Sequence, residues 1–131
     1  MNKLFLLFGA IAGALAVIFG ALLAHQLKNQ MPDSALEVYE LAVRYQFYHV
    51  FALLATGILS EQFPGAWMNR AGSLFIAGIL LFSGSLYVIS TLMTKGIAIP
   101  IVLGICTPLG GLGFIGGWIS LGVGILKGRS S

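Results

Sequence analysis

The residue types best suited to chemistry are concentrated where a polar stretch of the chain runs into an apolar one. Glu40 precedes Arg44 by four residues, the spacing and order that favour an ion pair along a helix. Arg44 and Tyr48 share one helical row, and Tyr45 and His49 share the next. At about 100° per residue, these side chains cover an arc of about 140°. The spacing therefore predicts one polar face, with His49 deepest in the apolar run.

A second polar row is expected on the next apolar run, where Ser83, Tyr87 and Ser90 recur at helical spacing. Successive helices that cross a membrane in alternating directions place this row beside the start of the preceding helix. An ionisable residue at membrane depth is a functional-site hypothesis. The candidate ligand-binding or polar cluster comprises His25, Glu40, Arg44, Tyr45, Gln46, Tyr48, His49, Ser83, Tyr87, Thr91 and Thr107.

The same residues also fit a purely structural role. Arg44 can extend its guanidinium to the membrane surface, and the tyrosines can belong to an aromatic belt. Serine and threonine hydroxyls can bond to carbonyl groups one turn earlier in their own helix. From the residues alone, both interpretations of the cluster stay open.

No catalytic signature is found in the sequence. The apolar runs contain no carboxylate, and His25 and His49 lack a third good metal ligand nearby. The glycines at 110, 111 and 113 have no following lysine, so they do not form a phosphate-binding loop. The lone Cys106 excludes an internal disulfide. We therefore expect no enzyme activity, no metal and no cofactor.

The composition is that of a membrane protein. The chain has 131 residues, of which 58% are hydrophobic and 8% are charged, against roughly 45–50% apolar and about 25% charged in soluble domains. Four carboxylates and seven basic residues cannot cover the surface of a soluble monomer. The net charge of +3 is spread along the chain, which does not suit a nucleic-acid partner.

The hydropathy pattern predicts an all-α fold, an integral membrane bundle of four transmembrane helices in a single domain. Each span needs about 20 apolar residues. The fourth is expected to be kinked near Pro108, and a re-entrant piece before Thr107 is the alternative. The predicted spans are 4–24, 42–60, 71–94 and 99–126, with a polar loop and helix over 26–41.

The polar segment before the second span carries a helix-start signal. Asp33 or Ser34 is expected to cap the helix, with Glu37 placed as in a capping box. From there one helix can continue into the second span without a break.

The distribution of basic residues indicates the orientation. Four lie on the side of the termini and three on the other, so the positive-inside rule places both termini in the cytoplasm by one charge. The polar cluster then lies in the non-cytoplasmic half. The four are Lys3, Arg70, Lys127 and Arg129, and the three are Lys28, Arg44 and Lys95.

Small residues recur at helical spacing in the first and fourth spans. Ala12, Ala16 and Gly20 form one row, and Gly113 and Gly117 form another. Such rows permit the close approach of helices in lipid. We expect contacts within one chain, and contacts between copies remain the alternative. Two tryptophans, Trp67 and Trp118, are expected to anchor the helices near the interfaces.

Four sequence blocks carry a resemblance to a known family. They cover residues 20–25 (GALLAH), 41–49 (LAVRYQFYH), 71–87 with FSGSLY at its end, and 107–118 with TPLGG at its start. In these blocks the chain resembles the domain-of-unknown-function 423 (UPF0382) family of small bacterial inner-membrane proteins. It also resembles the eukaryotic transmembrane protein 256 group.

The resemblance implies a four-helix integral membrane protein without an established activity. The family usually has a glycine where Leu23 stands. The motif positions that the resemblance implies are His25, Arg44, Tyr45, Gln46, His49, Ser83, Ser85, Tyr87 and Thr107.

Two functions are compatible with these observations. The first is a non-enzymatic accessory or binding protein in contact with membrane lipid. Such a protein docks on a larger membrane protein complex, self-associates through glycine-rich helix faces, or holds a lipid or small ligand. The second is a small transporter or channel for a proton, anion or small solute that uses Arg44 and His49. The cytoplasmic half offers few polar residues to continue such a route.

Overall fold

The computed structural model describes residues 1–128 and contains no strand in that part of the chain. Its four helices are α1 (Lys3–Leu27), α2 (Asp33–Gln62), α3 (Ala66–Thr94) and α4 (Ile101–Lys127). Short connections make successive helices antiparallel neighbours, so α2 and α4 run in the same direction. The prediction of an all-α bundle is confirmed.

Three of the helices, α1, α3 and α4, are long and apolar enough to cross a membrane. α2 has 30 residues, which is sufficient length. It is not among the three because its first half carries four charged residues and Gln46, and its second half carries His49 and Glu61. The crossing of α2 over residues 42–60 stays a prediction.

Two helices contain π-helical turns. α1 ends in one at Leu23–Leu27, and α3 has one at Ile79–Ser83 between its α-helical parts, Ala66–Gly78 and Gly84–Thr94. A π turn inserts one extra residue and rotates the side chains that follow it, and such turns often lie at functional sites. In α3 the polar row of the sequence begins at the last residue of this turn, Ser83.

The predicted cap of α2 is wrong. Pro32 occupies the cap position, Asp33 is already helical, and no side chain caps the helix. The Leu36 N–H donates to the Pro32 carbonyl (3.0 Å). The ring of Pro32 holds φ at −64°, so the backbone itself starts the helix without a capping box.

The helix α4 is continuous from Ile101, directly after Pro100. It begins two residues after the predicted start, and the re-entrant alternative is therefore wrong. Pro108 lies inside the helix and has no N–H to donate to the carbonyl of Gly104. The physical cause of the predicted kink is thus present.

The small residues of α4 contact α3 of the same chain. A Cβ at Gly110 would overlap the backbone of Phe82, and one at Gly117 would overlap the ring of Phe75. In α1, Ala12 is buried. These contacts place the rows of small residues at interfaces within one chain.

Candidate functional site

Gln46 joins three helices by hydrogen bonds at the centre of the bundle. Its Nε2 donates to the Ala12 carbonyl on α1 (2.7 Å), and its Oε1 accepts from the Tyr87 hydroxyl on α3 (2.6 Å). Only 3% of the Gln46 residue surface is exposed. Both functional groups of the amide therefore have partners inside the protein.

A second connection between α2 and α3 begins at the π turn. Ser83, the last residue of this turn, donates its hydroxyl proton to the Ala42 carbonyl (2.8 Å). On the other side of α2, the Tyr39 hydroxyl donates to the Phe19 carbonyl of α1 (2.9 Å). The ring of Tyr87 packs against both Phe19 and Tyr39.

The helices α3 and α4 are joined by two hydroxyls. Ser85 Oγ and Thr107 Oγ1 lie 2.6 Å apart. Ser85 also lies 2.9 Å from the Phe82 carbonyl, whereas Thr107 lies 3.4 Å from the Leu103 carbonyl. Since each hydroxyl has one proton, the short distances are satisfied when Ser85 donates to Phe82 and Thr107 donates to Ser85.

His49 connects α2 to α4. Its Nε2 lies 3.1 Å from Trp118 Nε1, and its Nδ1 lies 2.7 Å from the Tyr45 carbonyl. The indole N–H can only donate, so Nε2 accepts and Nδ1 carries the proton that Tyr45 accepts. The imidazole also stacks on Phe114 with ring centroids 3.5 Å apart. Both nitrogens of the neutral ring are occupied.

Trp118 differs from its prediction as an interfacial anchor. Its ring is 49% exposed, and its indole N–H donates to Nε2 of the buried His49. Trp67 lies at the start of α3, at the end of the bundle that holds Met1, with Arg70 and Lys127 over its ring at 4.7 and 5.7 Å. A tryptophan N–H in an apolar setting requires an acceptor, and His49 provides one at the level of Trp118.

These polar side chains connect all four helices and are called the hydrogen-bond network below. Every buried side-chain nitrogen and oxygen within residues 1–128 has a hydrogen-bond partner. The same range contains no group of three or more residues suited to hold a metal ion. The members of the network are Tyr39, Gln46, His49, Ser83, Ser85, Tyr87, Thr107 and Trp118.

Several predicted site residues lie outside this network. His25, Glu40, Arg44 and Tyr48 are exposed. The predicted ion pair between Glu40 and Arg44 is absent, and between residues 1 and 128 the one ion pair joins the amino group of Met1 to Glu61 (3.9 Å). Both predicted partners project outward, where long side chains remain free to separate.

Two further predicted residues have local roles. Thr91 is exposed and donates to the Tyr87 carbonyl of its own helix (2.9 Å). Tyr45 is half-buried and packs its ring on Phe82 and Phe114. The structure thus brings together Tyr45, Gln46, His49, Ser83, Tyr87 and Thr107, and it leaves the other five at the surface.

Sequence reasoning missed Tyr39 and Trp118 as network members. Tyr39 precedes Gln46 by seven residues, or two helical turns, and therefore lies on the same face of α2. This spacing could have predicted that Tyr39 belongs to the network. Trp118 had no comparable signal, because its partner lies 69 residues away on another helix.

An open groove runs between α2 and α4 and is called the α2–α4 groove. It has a volume of about 610 Å³ and a mostly apolar wall. The side chains that shape it include Tyr45, Tyr48, His49, Leu112, Ile115 and Trp118.

Three helices are apolar and long enough to cross a membrane, and the buried polar side chains between the helices are hydrogen-bonded within the described residues. These features define a multi-pass membrane protein with a helical bundle. A family model described as "Protein of unknown function (DUF423)" matches residues 19–111. The chain belongs to this family, and the predicted resemblance is confirmed. The matched range includes every member of the network except Trp118.

The curated relatives are UPF0382 membrane proteins. The chain is 40% identical over 126 residues to the UPF0382 membrane protein YwdK of Bacillus subtilis, covering 95% of this chain and 98% of the relative. It is 43% identical over 125 residues to a UPF0382 membrane protein of Staphylococcus aureus, covering 95% and 97%. No solved structure matches the chain.

Proposed function

We propose that this chain is a non-enzymatic accessory protein that binds a larger membrane protein complex through its outer surface. The observation that carries the proposal is that every buried polar side-chain atom within residues 1–128 is hydrogen-bonded inside the chain. The polar groups therefore serve to hold the helices together. A partner would therefore bind to the outward faces of the helices.

The outward faces of α1 and α4 suit a partner within the membrane. They are apolar over their length, with Ile11 and Ile18 exposed on α1 and Ile105 and Ile119 exposed on α4. The connections outside the helices are short. Little of the chain is therefore available to bind a soluble partner.

The transporter alternative has less support. Arg44 is exposed, and both ring nitrogens of His49 are occupied by neighbours. Toward the termini, Thr56 donates to the Ala52 carbonyl of its own helix (2.8 Å). A continuous polar route would require these bonds to open.

Photo-crosslinking in cells tests the accessory function. A photoreactive residue at Ile11 or Ile119 is expected to give a discrete protein adduct of defined mass. The matched control is the same residue at Leu53, which is fully buried and should give none. Absence of an adduct at both exposed positions, together with native purification of a partner-free monomer, would contradict the proposal.

We also propose that the termini lie in the cytoplasm, on the basis of the single excess basic residue on their side. Met1 contacts Glu61, and Lys127 contacts Trp67. Met1 and the end of α4 thus share one end of the bundle with the connection from α2 to α3, whereas Arg129 lies outside the described residues. A fluorescent protein that folds only in the cytoplasm, fused to the C-terminus, should fluoresce. A periplasm-dependent phosphatase fused there should be inactive, and the reverse pair of results would overturn the orientation.

A further inference from the structure

Two of the four tyrosine hydroxyls have no acceptor inside the chain. Tyr39 and Tyr87 donate their hydroxyl protons within the bundle, whereas Tyr45 and Tyr48 donate to no residue from 1 to 128. Every buried side-chain oxygen in that range has a partner, so the hydroxyl of the half-buried Tyr45 is accessible from outside the protein. Tyr48 is exposed, and both tyrosines line the α2–α4 groove. Two hydrogen-bond donors are therefore available to a molecule in this groove.

These two tyrosines lie at the level of the middle of the bundle. Tyr45 packs against Phe114, which is the central residue of the 27-residue helix α4, and against the ring of Tyr48. Since α4 is apolar enough to cross a membrane, its centre lies near the membrane midplane, about 15 Å from either surface of the hydrocarbon core. The headgroup of a phospholipid does not reach this depth. A hydroxyl without an acceptor is costly there, because hydrocarbon contains no water to replace the missing partner.

The wall of the groove suits an uncharged ligand with a flat ring. The described residues that line it include no aspartate, glutamate, lysine or arginine, and both nitrogens of His49 are occupied by neighbours. The rings of Tyr45, Tyr48 and Trp118 also line it, and aromatic rings favour stacked or edge-to-face contacts with another ring. The volume of about 610 Å³ falls in the usual range for ligand sites, about 300–1,000 Å³.

We propose that the α2–α4 groove binds a lipid-soluble quinone. The quinone carbonyls accept hydrogen bonds from the hydroxyls of Tyr45 and Tyr48, whose ring centroids are 5.7 Å apart, and the isoprenoid chain lies against Leu112 and Ile115. A quinone ring is planar and uncharged, carries two acceptors and no donor, and dissolves in the hydrocarbon core. It therefore satisfies both donors at their depth. This site goes beyond the accessory function and does not depend on it.

Quenching of tryptophan fluorescence tests the site, because Trp118 lines the groove and Trp67 does not. The probe is ubiquinone with two isoprene units, whose absorption overlaps little with tryptophan emission, so that quenching requires contact. It is titrated into the protein in phosphatidylcholine nanodiscs. In the Trp67→Phe protein, where Trp118 is the one tryptophan left, we expect quenching that saturates. In the Trp118→Phe protein, Trp67 should show only the linear quenching caused by quinone dissolved in the bilayer.

Variants of the tyrosines test the two hydrogen bonds in the Trp67→Phe background. Tyr45→Phe and Tyr48→Phe each remove one donor and should raise the apparent dissociation constant about two- to tenfold, the effect of one hydrogen bond. Tyr39→Phe is the matched control on the same helix. Its hydroxyl donates to the Phe19 carbonyl and does not line the groove, so its removal should leave the dissociation constant unchanged.

A pair of glycine variants tests the groove itself. A Cβ at Gly111 would meet only Phe82, at 3.9 Å, and nothing lies within 4 Å of a Cβ at Gly122. Both positions on α4 therefore have room for a side chain, but only Gly111 lines the groove. Gly111→Leu should abolish the saturable quenching, and Gly122→Leu should preserve it.

Three results would overturn the proposal. They are linear quenching of Trp118, equal dissociation constants for Gly111→Leu and Gly122→Leu, and saturable quenching that neither Tyr45→Phe nor Tyr48→Phe weakens. The third result would identify a plain hydrocarbon chain as the occupant, because such a chain requires the groove but not the hydroxyls.

The crosslinks at Ile11 and Ile119 do not depend on these results, since neither residue lines the groove. Failure of the quinone site is therefore distinguishable from failure of the accessory function.

Discussion

The two halves of the bundle hold their helices together by different means. In the half that contains the termini, aromatic rings occupy the space that a Cβ would fill, with Phe5 against Gly72 and Phe75 against Gly117. In the other half, buried polar groups such as Gln46 join the helices by hydrogen bonds. We call these the terminal half and the network half.

This difference reflects the absence of a hydrophobic driving force between helices in lipid, where close packing and hydrogen bonds must provide the association. Packing depends on volume, whereas hydrogen bonds depend on polarity and direction. A hydrogen bond between membrane helices contributes about 0.6 kcal/mol on average, and overfilling a packed site costs about 1–3 kcal/mol. The terminal half should therefore respond mainly to added volume, whereas the network half, in which Gly110 also packs on Phe82, should respond to lost polarity as well.

The largest effect is expected from Gly72→Ala in the terminal half. The new Cβ would overlap the buried ring of Phe5, and we expect a loss of about 1–3 kcal/mol in the free energy of unfolding. Gly84→Ala is the matched control on the same helix, because nothing lies within 4 Å of its Cβ position. Unfolding in mild detergent by added dodecyl sulfate measures both. Equal stabilities of the two variants would refute packing against Phe5 as the cause.

The next largest effect is expected from Gln46→Leu in the network half. The change keeps the volume similar but leaves the Tyr87 hydroxyl without an acceptor and the Ala12 carbonyl without this donor. We expect a loss of about 1–2 kcal/mol in unfolding free energy. Gln62→Leu, at the exposed end of the same helix, should change it little. A variant at position 46 as stable as its control would show that the network does not stabilise this half.

A smaller effect is expected for the pair of His49 and Trp118. A double-mutant cycle with His49→Phe and Trp118→Phe should give a coupling energy of about 0.6–1.7 kcal/mol, the measured range for bonds between membrane helices. The control cycle replaces Trp118→Phe by Trp67→Phe. Trp67 stacks under Arg70 and has no hydrogen bond to His49, so this cycle should give no coupling. Equal couplings in the two cycles would contradict the hydrogen bond.

The fold could be predicted because the length and hydropathy of each helix depend only on the residues of that segment. Three of the runs of apolar residues became helices long enough to cross a membrane, and the short connections between helices required antiparallel neighbours. The cap of α2 lies one or two residues before the predicted Asp33 or Ser34, because Pro32, with φ fixed at −64° and an extended ψ of 154°, takes this position without a capping side chain. Such an effect depends on backbone dihedral angles rather than on residue spacing.

The candidate site could be predicted only in part. Gln46, Ser83 and Tyr87 follow helical spacing, which is visible in the sequence. Their partners include the carbonyls of Ala12 and Ala42, and every residue carries such a group. Which carbonyl is used depends on the rotation of each helix about its axis. The sequence spacing within one helix contains no information about that rotation.

The smallest effect concerns Glu40 and Arg44, the pair that spacing alone predicts and the structure separates. Ion pairs at this spacing usually stabilise a helix by about 0.3–0.5 kcal/mol. A double-mutant cycle with Glu40→Gln and Arg44→Gln in a zwitterionic detergent should instead give a coupling near zero, because no ion pair forms between them. A coupling of the usual size would restore the pair and supply Arg44 with a counter-ion.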